Sequence, residues 1–132
     1  MPNATTSTED IEKFELKSCP GGFVVLRRLN YGEYLKRREM VSGLKIHGGQ
    51  RSKDFEGELQ MASRKVTEFE FASSIVDHNL TDEGGTPLDF RNTFTFNMLD
   101  PRVGEEIGTL IDRMNQWQEE VEAGNSRGGS DA

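Results

Sequence analysis

Apolar or small residues recur at alternating intervals of four and three positions in the middle of the chain. The members of this series are Phe55, Leu59, Ala62, Val66, Phe69, Ser73 and Val76. Such spacing places every member on one side of an α-helix and makes a heptad-like seam of about six turns. The series therefore predicts a helix over residues 54–77. A strand over residues 66–71, where two phenylalanines alternate with glutamate, is the alternative, but it explains fewer residues.

Two short stretches near the N-terminus predict a β-hairpin. Phe14 and Leu16 alternate with charged residues, as in a half-buried strand, and residues 23–29 form a run rich in β-branched and other apolar residues. Residues 18–22 between them read Ser-Cys-Pro-Gly-Gly and supply the proline and glycines that favour a turn. A helix follows the hairpin, because Asn30 and Glu33 have the spacing of a capping box and His47 precedes two glycines.

Asp100 and Pro101 mark the start of the last helix, because an acidic N-cap followed by proline is a common helix opening. This helix should extend to about residue 122. Its apolar face consists of Val103, Ile107, Leu110, Ile111, Met114, Trp117 and Val121. The last three of these, Met114, Trp117 and Val121, are the candidate partner-binding residues, since an exposed apolar strip near the chain end would attract a partner. A core role for Trp117 is the alternative.

The remaining segments complete a prediction of one α+β domain, with an N-terminal β-hairpin followed mainly by α-helices. Residues 80–90 contain Gly-Gly and Pro and predict a loop, and residues 91–98, with Phe94 and Phe96 two positions apart, predict a short extended segment. The domain is predicted to span residues 10–122. Residues 1–9 are expected to be disordered, and residues 123–132 are expected to form a flexible tail.

The composition and net charge of the chain argue against some classes of binding partner. The chain has 132 residues, of which 33% are hydrophobic. Its net charge is -7, so binding to nucleic acid or to an anionic membrane through the overall charge is not expected. No apolar run reaches the roughly 18 residues that span a bilayer, and no secretory signal is visible. The single cysteine, Cys19, precludes an internal disulfide and is consistent with a reducing cytoplasm.

The net charge is divided unevenly along the chain. Residues 13–65 carry twelve Lys or Arg against six Asp or Glu, whereas residues 66–132 carry four Arg against fourteen acids. This asymmetry has three interpretations that the sequence leaves open. The two segments neutralise each other within the monomer, they drive head-to-tail self-association, or a partner recognises one of them.

No arrangement of chemically active residues predicts catalysis. Asp77 and His78 are neighbours, but neither they nor His47 are accompanied by a nucleophile motif, and no phosphate-binding glycine motif is present. The loop that begins at Asp77 lacks the glycine and glutamate of a calcium-binding EF-hand. We therefore predict no catalytic, cofactor-binding or metal-binding residues, no small-molecule substrate and no enzymatic activity.

Two stretches resemble tail assembly chaperones of long-tailed bacteriophages. The first is residues 27–34 (RRLNYGEY), which lead into a charged helix. The second, more specific, begins with residues 75–83 (IVDHNLTDE) and continues through residues 87–90 (PLDF) to residues 99–107 (LDPRVGEEI). The resemblance implies a non-enzymatic protein of the host cell cytoplasm that binds the tape measure protein, keeps it soluble and helps to recruit the tail tube protein. A small structural protein of the virion, such as a tail or head–tail connector subunit, is the alternative.

Overall fold

The computed structural model describes residues 2–7, 10–47 and 53–115, and within the helices it describes the side chains outside residues 43–47 and 53–62. The elements in chain order are β1 (Ile11–Glu15), β2 (Phe23–Arg27), α1 (Tyr31–His47), α2 (Lys53–Ser74), β3 (Ile75–His78), α3 (Thr95–Met98) and α4 (Pro101–Asn115). The α+β class and the N-terminal hairpin are thus confirmed, as are the starts of α1 and α4.

The sheet has three antiparallel strands in the order β1-β2-β3. β1 and β2 form the predicted hairpin, with Phe14 opposite Val24. Its turn contains Gly21 at a φ of +84°, a backbone conformation that glycine adopts without strain. Because a two-stranded hairpin alone is marginally stable in water, the third strand and the packed helices are what make this sheet a stable unit.

Residues 75–77 are the end of the predicted long helix, and there the prediction is wrong. α2 ends at Ser74, and the chain continues at once into β3, where Leu26 pairs with Ile75 and Val25 pairs with Asp77. Ile75 and Val76 are β-branched and favour strands, and Ile75 and Asp77 pair with β2 on either side of Val76. The helix prediction holds for residues 54–74, so the alternative strand over residues 66–71 is also wrong.

The capping box at the start of α1 is formed as predicted. The Glu33 backbone N–H donates to Asn30 Oδ1 at 2.9 Å, and the Asn30 backbone N–H donates to Glu33 Oε1 at 3.0 Å. Arg27, the last residue of β2, donates two further hydrogen bonds to the Glu33 carboxylate. These Arg27 hydrogen bonds lower the pKa of Glu33. The box therefore joins the sheet to α1 as well as starting the helix.

The core lies between the sheet and the helices α2 and α4. Its largest fully buried apolar side chains are Phe71 from α2, Leu26 and Val24 from β2, and Ile107 and Ile111 from α4. The Phe71 ring lies 5.9 Å from the Phe90 ring and 5.3 Å from the Phe96 ring, in tilted geometry. Phe90 belongs to the loop and Phe96 to α3, so one aromatic cluster holds α2, the loop and α3 together.

The segment after the loop is helical rather than extended. Phe94 has helical backbone angles, and α3 follows over Thr95–Met98. The Asn92 side chain accepts a hydrogen bond from the Phe94 backbone N–H, and the Asn92 carbonyl accepts one from the Thr95 N–H. This turn separates Phe94, which is exposed, from Phe96, which is packed against the core.

Asp100 caps α4 as predicted. Its side chain accepts a hydrogen bond from the Arg102 backbone N–H at 2.9 Å, and its carbonyl accepts one from the Gly104 N–H. The described part of α4 ends at Asn115. Trp117, Val121, the predicted helix end near residue 122 and the predicted tail at residues 123–132 lie outside the described residues.

Hydrogen bonds to the Glu106 side chain connect the hairpin turn to α4. Its carboxylate accepts hydrogen bonds from the backbone N–H groups of Lys17 and Ser18, at 2.8 and 2.9 Å, and from the Ser18 hydroxyl. The Ser18 side-chain hydrogen bond is the largest of the effects that lower the pKa of Glu106, and the Lys17 N–H follows. The turn is thus held by an acidic side chain that lies 88 residues away in the chain.

The Glu106→Ala variant is expected to lose about 1–2 kcal/mol of unfolding free energy, because three hydrogen bonds to a carboxylate are removed at a partly exposed position. A lowered pKa means that this contribution is complete above the unfolded value of about 4.5 and is lost as the pH falls through the folded value. Urea unfolding at neutral and acidic pH measures the difference. Glu105→Ala, at the exposed neighbouring carboxylate, is the control. An equal loss of unfolding free energy in both variants would show that the hydrogen bonds between Glu106 and the hairpin turn do not stabilise the fold.

Candidate protein-binding surface

Met114 is the one candidate partner-binding residue that the structure describes. It lies near the end of the described part of α4, is half-buried, and packs against the core cluster. It also lines a groove of about 850 Å³, together with Leu29, Tyr31, Tyr34 and Asn115. We call this the tyrosine groove. Trp117 and Val121 lie outside the described residues, so the structure brings only Met114 to it.

Local structure at the start of α1 places the two tyrosines. Because Asn30 caps the helix, Tyr31 is its first residue and Tyr34 follows almost one turn later. Their rings are stacked with centroids 6.0 Å apart. Tyr34 packs against the core, whereas Tyr31 is 70% exposed and Leu35, one turn beyond Tyr31, is 41% exposed. The helix therefore presents an aromatic and an aliphatic side chain to solvent beside the groove.

Asn115 connects the floor of the groove to α4. Its Oδ1 accepts a hydrogen bond from the Leu29 backbone N–H at 3.0 Å, and its Nδ2 donates to the Ile111 carbonyl at 3.0 Å. The segment between β2 and α1 is thereby fixed against the last described turn of α4. The groove is therefore built by elements from both ends of the described chain, and its walls are held by hydrogen bonds.

The charges around the tyrosine groove are balanced. Arg28 and Asp10, which both line it, form an ion pair with 3.5 Å between the charged groups. Arg27 and Glu33 form a second pair at 2.7 Å beneath the start of α1. Residues of the N-terminal segment, Asn3 to Ser7, complete the lining with small, mainly polar side chains. The groove therefore combines apolar and aromatic side chains from α1 and α4 with a polar wall, and its paired charges give little basis for selecting a partner by charge.

The described contacts of His78 are made to the backbone and to an aromatic ring of the loop that follows β3. His78 Nδ1 accepts a hydrogen bond from the Leu80 backbone N–H at 3.0 Å, and its ring meets the Phe90 ring edge-on at 4.9 Å. Asp77 precedes it on β3, where successive side chains point to opposite faces of the sheet. The His47 side chain is not among the described ones. These two contacts fix the position of the His78 ring at the end of the sheet.

The acidic loop, residues 80–90, contains Asp82, Glu83 and Asp89 and is organised by hydrogen bonds to backbone N–H groups. Asp82 Oδ1 accepts a hydrogen bond from the Thr86 N–H, and Asp89 Oδ1 accepts one from the Arg91 N–H. Within residues 2–7, 10–47 and 53–115, no group of three or more His, Cys, Asp or Glu side chains is placed to hold a metal ion. No helix in the described part of the chain is long and apolar enough to cross a membrane.

Part of the charge asymmetry is neutralised inside the monomer. Arg37 of α1 pairs with Glu70 of α2 at 2.6 Å, and Arg64 pairs with Glu68 within α2 at 3.5 Å. Each pair joins the basic segment to the acidic one. The intramolecular interpretation of the asymmetry is therefore correct for these four residues.

Two exposed apolar residues outside the tyrosine groove were not predicted from the sequence. Phe94 is 71% exposed and Met98, one helical turn later, is 65% exposed. The sequence signal that would have found them is Asn92, whose side chain can start a helical turn. Such a turn places residues two positions apart on different sides, so the pair Phe94 and Phe96 need not share a face.

Comparison of the chain with known protein families, with curated proteins and with solved structures finds no match.

Proposed function

We propose that this protein is a tail assembly chaperone of a long-tailed bacteriophage. In this role it binds the tape measure protein in the host cell cytoplasm, keeps it soluble and helps to recruit tail tube subunits. It performs these tasks without catalysis. The observation that carries the proposal is the tyrosine groove, where the exposed Tyr31 lies beside the half-buried Tyr34 and Met114, with Leu35 exposed one turn beyond Tyr31 on α1.

The tape measure protein, the client of such a chaperone, is expected to be long and rich in amphipathic helix. A long protein rich in amphipathic helix exposes an apolar stripe that must be covered until tube subunits surround it. A tyrosine contributes a large apolar area at a small cost in conformational entropy, and a methionine adapts to varied partners. The tyrosine groove offers both beside a helix face, which is the arrangement that binds an amphipathic helix through side chains spaced three and four residues apart.

Co-expression with the tape measure protein of the same phage tests the proposal. With the wild-type chain, the tape measure protein should move into the soluble fraction and co-purify with it. The double variant Tyr31→Glu/Leu35→Glu should reduce the co-purified amount at least tenfold, because it places two charges against the client's apolar stripe. Circular dichroism should show that the variant retains its helix content.

Val76→Glu is the matched control, since Val76 is a similarly exposed apolar residue on β3 and does not line the tyrosine groove. It should behave as the wild type. If the wild-type chain neither co-purifies with the tape measure protein nor changes its solubility, the chaperone proposal is wrong. Mass spectrometry of purified virions separates it from the structural alternative, because a chaperone should be scarce there and a tail or connector subunit should be stoichiometric.

A further inference from the structure

A second groove lies at the other end of α4, formed by the hairpin turn, the acidic loop and α3. Its volume is about 760 Å³. The apolar or weakly polar side chains that line it are Cys19, Pro20, Leu80, Leu88, Met98, Leu99 and Val103. We call it the α3 groove. It is separated from the tyrosine groove by about 16 Å along the helix, the rise of the eleven residues between Val103 and Met114.

The floor and one wall of the α3 groove are preformed. Leu80 and Val103 are buried at its base, and the Leu80 carbonyl accepts a hydrogen bond from the Leu88 N–H at 3.0 Å. The hairpin turn packs closely on this floor, since a Cβ added at Gly22 would lie 2.8 Å from the Leu80 side chain. A site of this kind binds with little reorganisation cost.

Charge around the α3 groove has one sign. The charged residues that line it are Asp82, Glu83 and Asp100, and no described Lys or Arg is among the lining residues. Asp100 is paired with Arg102 at 2.9 Å. Asp82 and Glu83 have no ion pair with any residue that the structure describes. An occupant with positive charge beside its apolar groups would therefore be favoured.

Apolar surface continues from the groove onto α3. Met98 lines the groove and is 65% exposed, and Phe94, which is 71% exposed, lies one helical turn before it. A small molecule held inside the groove would leave Phe94 uncovered. A polypeptide segment that crosses α3 would contact both side chains, and methionine and aromatic residues are enriched on protein-binding surfaces.

We propose that the α3 groove is a second docking surface, and that it binds a peptide segment of a partner protein in which apolar side chains are flanked by Lys or Arg. The apolar side chains contact Leu88, Met98 and Phe94, and the basic groups face Asp82 and Glu83. This inference goes beyond the proposed function, because it requires no tape measure protein. It gives the protein two separate binding surfaces at the two ends of one helix.

Fluorescence anisotropy with the full-length chain and labelled synthetic peptides of about 16 residues tests this inference. Two peptides share the same Leu and Phe positions and differ only in carrying Lys or Glu at the flanking positions. The Lys peptide should bind at least tenfold more tightly than the Glu peptide, and its binding should weaken as salt is raised. Equal binding of the two peptides, or no binding, would overturn the proposal.

Variants locate the bound peptide. Met98→Ser, which removes an apolar contact without adding charge, should weaken binding of the Lys peptide at least fivefold, and Glu83→Lys should abolish the preference between the two peptides because Asp82 and the new cation then offset each other. Both residues are exposed, so circular dichroism should report an unchanged fold. Tyr31→Ser, in the tyrosine groove, is the control and should bind as the wild type. Normal binding by Met98→Ser, or loss of binding in Tyr31→Ser, would show that the site is elsewhere.

Different experimental results would contradict the proposed function and the second docking surface. If the wild-type chain does not solubilise the tape measure protein but the Lys peptide binds and responds to Met98→Ser, the proposed function is wrong and the second docking surface stands. If the tape measure protein is solubilised and Met98→Ser leaves peptide binding unchanged, the second docking surface is wrong and the proposed function stands.

Discussion

Arg37→Met is expected to lower the free energy of unfolding by about 3 kcal/mol at neutral pH, in the range found when one partner of a largely buried ion pair is removed. Arg37 Nε donates to Glu70 Oε1 at 2.6 Å, across the contact between α1 and α2. Glu70 is only 7% exposed. Removing the guanidinium leaves this buried carboxylate without its cation, and methionine fills most of the volume without restoring the charge.

A second carboxylate makes the loss of Arg37 more costly. Asp112 of α4 is half-buried, and burial raises its pKa while the positive charge of Arg37 lowers it. Burial also raises the pKa of Glu70, the Arg37 hydrogen bond opposes this, and the charge of Asp112 raises it further. Arg37 therefore balances two acidic groups that come from two different helices.

The pH dependence of the Arg37→Met variant follows from the sign of these shifts. A carboxyl group whose pKa is higher in the folded state than in the unfolded state destabilises the fold when it is ionised. The cost is complete above the folded pKa and disappears as the pH falls through it toward the unfolded value, which is about 4.5 for Glu70. The stability difference between variant and wild type should therefore be largest at pH 7 and should shrink toward pH 5.

Urea unfolding of the wild type and the variant across this pH range measures the effect. Arg38→Met is the matched control, because Arg38 is the exposed neighbour on α1 and forms no ion pair with a described residue. It should change the free energy of unfolding by less than about 0.5 kcal/mol. A difference for Arg37→Met that stays constant with pH would show that the two carboxylates do not respond to Arg37.

Local sequence signals predicted the elements whose stabilising contacts are local. The capping box of Asn30 and Glu33 and the Asp100 cap involve residues within four positions of each other, so the starts of α1 and α4 could be identified. The strand β3 could not be identified in this way, because the spacing of Ser73 and Val76 continues the helical series. The strand forms through pairing with β2, about fifty residues earlier in the chain, and a periodicity cannot show that contact.

The candidate surfaces were predicted less completely than the fold. Met114 was chosen as a candidate from its place on the apolar face of α4, but the groove that it lines also depends on Tyr31 and Tyr34, which no local sequence pattern placed beside it. Phe94 was assigned to an extended segment with Phe96, where both side chains would share a face. The turn at Asn92 separates them. Exposure of an apolar residue depends on what packs over it, and that is decided by tertiary contacts.

Phe71→Ala should have the largest effect on stability, a loss of about 3–5 kcal/mol of unfolding free energy, as expected for truncation of a fully buried aromatic residue. Phe71 is 1% exposed and joins α2 to the Phe90 and Phe96 rings, so the cavity would open where three segments meet. Phe94→Ala is the matched control, because the same truncation at a residue that is 71% exposed should change stability by less than about 0.5 kcal/mol. Urea unfolding measures both variants. Equal losses would mean that Phe94 is packed as tightly as Phe71, and both the aromatic core and the second docking surface would then have to be abandoned.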